Sequence, residues 1–104
     1  MAQRLIWSDR ALDDLEEIVS YIEKDSPLYA RNVARKMFAR ADALIDQPGQ
    51  GRGVPEYDGD KDVREVFVHR WRLIYAVYPD HIRIAAVIHG ARLMENVRRV
   101  RIST

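Results

Sequence analysis

The hydrophobic rhythm of this chain changes once, and that change dictates its layers. In the first half apolar residues recur every three or four positions, whereas from Val63 onward they alternate. The first period makes helices with one buried stripe, and the second makes strands with one buried face. Leu12, Leu15, Ile18, Val19 and Ile22 predict a helix from about Asp9 to Asp25, capped by Ser8. Its first turns carry Asp9, Asp13, Asp14, Glu16 and Glu17, which complement the positive end of a helix dipole. Ser26-Pro27 restarts the pattern as a cap followed by proline in the first turn. Ala30, Val33, Ala34, Met37, Phe38, Ala41, Leu44 and Ile45 form the second stripe, with Met37 and Phe38 read as core, and Pro48-Gly49 ends it. A connection as short as Asp25-Ser26 folds two helices into an antiparallel hairpin. Alanines at 30, 34 and 41 let its backbones approach.

Three alternating runs follow: 63–69, 72–78 and 82–89. Links of two to four residues permit only antiparallel hairpins between them, although the Arg70-Trp71 turn lacks the Gly or Asn that tight turns favour. Residues 3–7 read as an opening strand. Residues 47–61 hold four Gly and two Pro and read as a loop; they lack the Gly-x-x-x-x-Gly-Lys-Ser/Thr pattern of a phosphate-cradling loop. The expected order is β-α-α-β-β-β. That is an α+β, two-layer fold with the helical hairpin packed on an antiparallel sheet and the opening strand at an edge or beside a central strand. Residues 1–104 form a single expected domain. A short C-terminal helix is expected over residues 92–102, with Leu93, Val97 and Val100 on one face.

Composition narrows the chemistry. With no cysteine, a thiol nucleophile, a disulfide scaffold and a thiolate-held metal are excluded. The three histidines are scattered without ligand spacing, so no metal or other cofactor is expected. No secretory signal or membrane-spanning run is visible, so the expected location is the cytoplasm, away from membranes. The net charge of +1 hides a gradient, from −4 over residues 1–25 to +4 over residues 62–104. Every base in the last segment is Arg, whose planar fork suits carboxylate or phosphate.

Several pieces resemble one family in order and spacing. They are Trp7-Ser8-Asp9-Arg10-Ala11-Leu12-Asp13-Asp14-Leu15-Glu16-Glu17-Ile18, Leu44-Ile45-Asp46-Gln47-Pro48-Gly49-Gln50-Gly51-Arg52, Val63-Arg64-Glu65, Trp71-Arg72-Leu73-Ile74-Tyr75 and Ile88-His89-Gly90-Ala91-Arg92. Together they resemble the RelE/ParE superfamily of type II toxins, and most closely its ParE-like plasmid-stabilisation branch. The resemblance covers nearly the whole chain and implies the same β-α-α-β-β-β fold. It also implies a toxin silenced by a cognate antitoxin in a hetero-oligomeric complex. ParE-like members poison DNA gyrase by binding it, whereas RelE-like members cut mRNA on the ribosome.

Metal-free RNA cleavage requires a base, an acid and cations to hold the phosphorane. Arg72 and Arg92 match the RelE-like cations. The lysines expected on the second strand are replaced by the run Arg64-Glu65-Val66-Phe67-Val68, and Arg98 stands near the place of the later Tyr. The expected activity is therefore binding and poisoning of gyrase. In the alternative, a ribosome-dependent endonuclease, Arg72, Arg92, His89 and Glu65 would carry the chemistry. Arg64, Arg70, Trp71, Arg72, Arg92, Leu93, Val97, Arg98 and Arg99 are the expected contacts with target or antitoxin.

Overall fold

Two serines begin the helices. Ser8 Oγ accepts the Ala11 amide at 3.0 Å, and Ser26 Oγ accepts the Tyr29 amide at 3.1 Å. The computed structural model describes residues 4–55 and 62–90. The caps start α1 (Asp9–Glu23) and α2 (Pro27–Ala43). The strands are β1 (Arg4–Trp7), β2 (Arg52–Gly53), β3 (Val63–Val68), β4 (Trp71–Val77) and β5 (His81–His89), in sheet order β1-β5-β4-β3-β2.

The helical stripes meet one face of this sheet. Ala11, Leu15, Val33, Met37, Ala41 and Leu44 bury against Leu73, Tyr75, Ile82 and Ile84. The other face holds a second buried cluster of Val54, Val63, Ile74, Ala85, Ala86 and Ile88. A slip in register builds that second face. Ile74 lies opposite Ala86 and Tyr75 opposite Ile84, so the bulge at Ala85 puts two successive alanines in the same cluster.

Four details depart from the sequence expectation. β1 runs parallel to β5, from Arg4↔His81 to Trp7↔Ile84, so the sheet is mostly but not wholly antiparallel. Short turns force antiparallel pairing only between consecutive strands, and the length of the chain separates these two. The loop over 47–61 contains β2, which at two residues is too short to show a period. Phe38 is not core: it is 42% exposed and lies against Trp7, with ring centroids 5.0 Å apart. The first hairpin turns one residue earlier than expected, at His69-Arg70, between the paired Val68 and Trp71.

That turn holds His69 at φ 54°, a left-handed conformation that costs a residue with a Cβ about 1 kcal/mol or more. His69→Gly should therefore raise the unfolding free energy by about 1 kcal/mol, read from the urea midpoint at unchanged slope.

Asp14 ties α1 to β5. Its Oδ2 accepts the Val87 amide at 3.0 Å, and Arg10 Nε reaches Oδ1 at 2.9 Å. Burial raises the carboxyl above its ordinary value of 3.8, against the opposing pull of the Val87 amide and Arg10. The folded chain then holds this proton more tightly than the unfolded chain. Asp14's share of stability is fully present below pH 3.8 and is lost as pH rises through the raised value. Asn retains an acceptor for Val87 without the buried charge. Asp14→Asn should therefore gain on the parent chain between about pH 3 and about pH 7 in paired urea titrations.

Candidate functional site

A buried hydroxyl organises the glycine loop. Tyr75, at the centre of β4, donates its Oη to the Pro48 carbonyl at 2.7 Å and accepts the Gly51 amide at 2.9 Å. Burial raises the Tyr75 phenol above its ordinary range, which keeps the proton in place for donation. Arg64 Nη1 donates to the Gly51 carbonyl at 2.8 Å, and Arg40 Nη1 donates to Gln50 Oε1 at 2.8 Å. The loop is thus pinned from the sheet and from α2, and its direction on leaving Gly51 is fixed.

That direction delivers Arg52 to Glu65, its register partner on β3. Glu65 is wholly buried and saturated by cations. Arg72 reaches Oε1 through Nε at 2.7 Å and Nη2 at 2.6 Å, while Arg52 Nε reaches Oε2 at 2.6 Å. Arg72 is itself only 4% exposed, whereas Arg52 is 62% exposed and lies over the Phe67 ring, 5.1 Å from its centroid. Around this loop Arg52 and Arg72 hold the Glu65 carboxylate, while Arg40 and Arg64 hold Gln50 and the Gly51 carbonyl.

Beside the loop, α2 and the end of β3 enclose an open cleft of about 500 Å³. Lys36, Ala39, Arg40 and Ala43 form one wall, and Phe67, Val68 and His69 form the other. Tyr29 continues the helix wall and meets His69 edge-on, with ring centroids 6.2 Å apart. Lys36 and Arg40 are four residues apart and share one helix face. Ala39, Ala43 and Val68 line the cleft beside them.

The expected contact residues divide. Arg70 is exposed at the hairpin tip, but Trp71 is half-buried against the helix-side core and Arg64 is half-buried on the Gly51 carbonyl. Arg72 does not lie on an open basic surface as expected, because alternation along β4 turns it inward onto Glu65. Glu65 and Arg72 do come together, as an ion pair, while His89 stands exposed at the end of β5 opposite Trp71. Arg92, Leu93, Val97, Arg98, Arg99 and the expected C-terminal helix lie outside the described residues. The cleft residues Lys36, Arg40, Phe67 and His69, and Arg52 on Glu65, were absent from the expected set. The spacing of Tyr29, Lys36 and Arg40 at seven and four did mark one face of α2.

Residues 5–94 match the family described as ParE toxin of type II toxin-antitoxin system, parDE. The chain belongs to the ParE toxin family. Toxin RelE2 of Caulobacter vibrioides is 36% identical over 94 residues, spanning 89% of this chain and all of that relative. Among solved structures, the chromosomal ParDE system of P. aeruginosa superimposes with a TM-score of 0.69 at 21% identity, covering 85% of this chain and 96% of that one. A free-state mutant of the E. coli toxin RelE superimposes at 0.63 with 17% identity, covering 88% and 86%. Membership in this ParE family implies a cognate antitoxin as partner, and the structural likeness shows one shared α+β fold across the ParE and RelE neighbours. Among the described residues, no helix is long and apolar enough to cross a membrane.

Proposed function

We propose that this ParE-family toxin acts in the bacterial cytoplasm by binding and poisoning DNA gyrase, without chemistry of its own, until its antitoxin neutralises it. One observation carries the reading: Glu65, the carboxylate best placed to serve as a base, has both oxygens committed to Arg52 and Arg72 and is closed to solvent. A general base must reach the proton it abstracts, and a carboxylate already saturated by two guanidiniums does not. The same ion pair removes Arg72 from the cations available to steady a phosphorane.

The alternative is a RelE-like ribosome-dependent mRNA endonuclease. It draws on the relative named Toxin RelE2 and on the exposed position of His89. Induced expression without antitoxin separates the two. The expected result is growth arrest with trapped gyrase–DNA cleavage complexes and intact mRNA. Codon-positioned cuts in a primer-extension map, with no trapped gyrase, would replace this reading with the endonuclease.

A further inference from the structure

At one border of the sheet stands β1, and among the described residues no strand pairs with its outer side. Its backbone direction is set by β5. Arg4 donates its amide to the Asp80 carbonyl at 3.5 Å, and Ser8 donates to the Ile84 carbonyl at 3.0 Å. Successive residues of a strand turn their backbone groups to opposite sides, so residues 4, 6 and 8 face β5, and Leu5 and Trp7 turn their N–H and C=O outward. Natural edges are protected by proline, inward charge, a bulge or a covering element. β1 has none of the first three: it reads Arg-Leu-Ile-Trp, and its register with β5 runs without a break. Leu5, Ile6 and Trp7 are all half-buried, and Leu5 and Trp7 pack against the helix-side core. Apolar side chains therefore flank this edge on both faces of the sheet.

The edge fits a copy of itself. Turned about a two-fold axis through Ile6 and normal to the sheet, two β1 strands run antiparallel, with Ile6 facing Ile6 and Leu5 facing Trp7. In that register the outward groups of Leu5 meet those of Trp7 in the second copy, and both hydrogen bonds of each pair form. Arg4, whose side chain is 70% exposed, comes opposite Ser8 and beside the exposed Asp9 at the start of the second copy's α1. A cation thus meets a carboxylate at each end of the interface. The helices leave room for this. α1 packs chiefly on β5, so the two copies of α1 stand about 14 Å apart, farther than packed helices approach.

We infer that two copies of this chain associate through β1, in antiparallel register about Ile6, and form one continuous sheet across a two-fold axis. This association involves neither the antitoxin nor the target, so it stands apart from the function proposed above. A strand pair this short belongs with interfaces below about 1,200 Å², so the dimer is reversible and forms as concentration rises.

Sedimentation equilibrium of the full chain, free of any partner, tests it. The expected result is a mass that rises from one chain toward two between about 1 µM and about 500 µM. Hydrogen exchange at both ends of that series should show the Leu5 and Trp7 amides slowed by about fivefold or more in the dimer, with core amides as before. Arg4→Glu and Asp9→Lys should each weaken association by about tenfold, since each change acts at both ends of the interface. Combining them restores opposite charges and should return the dimer to within about twofold of the parent chain. Both side chains are exposed, so these variants leave the core untouched. A chain that stays monomeric to about 500 µM overturns the inference. So does a dimer whose Leu5 amide exchanges as fast as in the monomer. A double variant as weak as the single ones overturns the register about Ile6. An antitoxin that slows Leu5 in a chain monomeric by itself would give this edge to a different partner and overturn the second copy.

Discussion

Glu65→Ala should cost about 3–5 kcal/mol, because it breaks a buried ion pair by removing one partner. Arg72 is 4% exposed and pairs with Glu65 at 2.6 Å, so removing the carboxylate takes a close counter-charge from a cation with little access to water. A domain of this size is stable by only about 5–15 kcal/mol, so the loss is a large part of the whole. Arg72→Ala should be comparably severe, because among the described residues it leaves Glu65 with the solvent-facing Arg52 as its ion-pair partner. Arg52→Ala should cost much less, because its head is 62% exposed and water screens it. Replacing the buried pair together, as Glu65→Leu with Arg72→Met, should recover most of the loss, since desolvating two charges offsets much of their attraction. Urea unfolding of the four variants checks the order. A Glu65→Ala loss below about 1 kcal/mol would place the pair among weak, screened surface ion pairs.

The layers were legible because period alone separates a stripe from an alternating face. Leu15, Val33, Met37 and Leu44 stand where the helical spacing puts them, and Leu73, Tyr75, Ile82 and Ile84 stand where alternation puts them. What was not legible depends on partners far along the chain. The parallel pairing of β1 joins residues about 77 positions apart, as the Ser8–Ala85 hydrogen bond does, and no local pattern encodes it. Arg72 illustrates the same limit at the site. Its place on β4 was readable, but whether its face met solvent or Glu65 depended on the neighbouring strand's register. The cleft was missed for a related reason. Its helix wall has a visible spacing, but its other wall depends on where β2 begins: β2 starts at Arg52, opposite Glu65, and does not reach Phe67, which pairs with Arg72 of β4 on its other side.

Gly51→Ala should destabilise by about 3 kcal/mol, since the added methyl group has nowhere to go. An ideal Cβ at this position lies 2.6 Å from the Glu65 carbonyl oxygen and 2.6 Å from Tyr75 Oη, with the Tyr75 ring at 2.9 Å. A flexible side-chain end could swing aside, but one of these neighbours is β3 backbone and another is a core ring. Relief therefore requires the loop to lift. Lifting breaks the Tyr75 hydrogen bonds to Pro48 and Gly51 and draws Arg52 away from Glu65, so the local clash spreads into the buried ion pair. Tyr75→Phe alone removes the hydroxyl and leaves the Gly51 amide unsatisfied, at about 1–3 kcal/mol. In that background Gly51→Ala should cost less than it does in the parent chain, because one blocking atom and the bonds it made are already gone. The cost should not vanish, because the Glu65 carbonyl remains 2.6 Å from the new methyl. A double-mutant cycle by urea unfolding measures that coupling directly. Strict additivity would mean that the loop does not lean on the Tyr75 hydroxyl, and that Arg52 is aimed at Glu65 by the β2–β3 pairing alone.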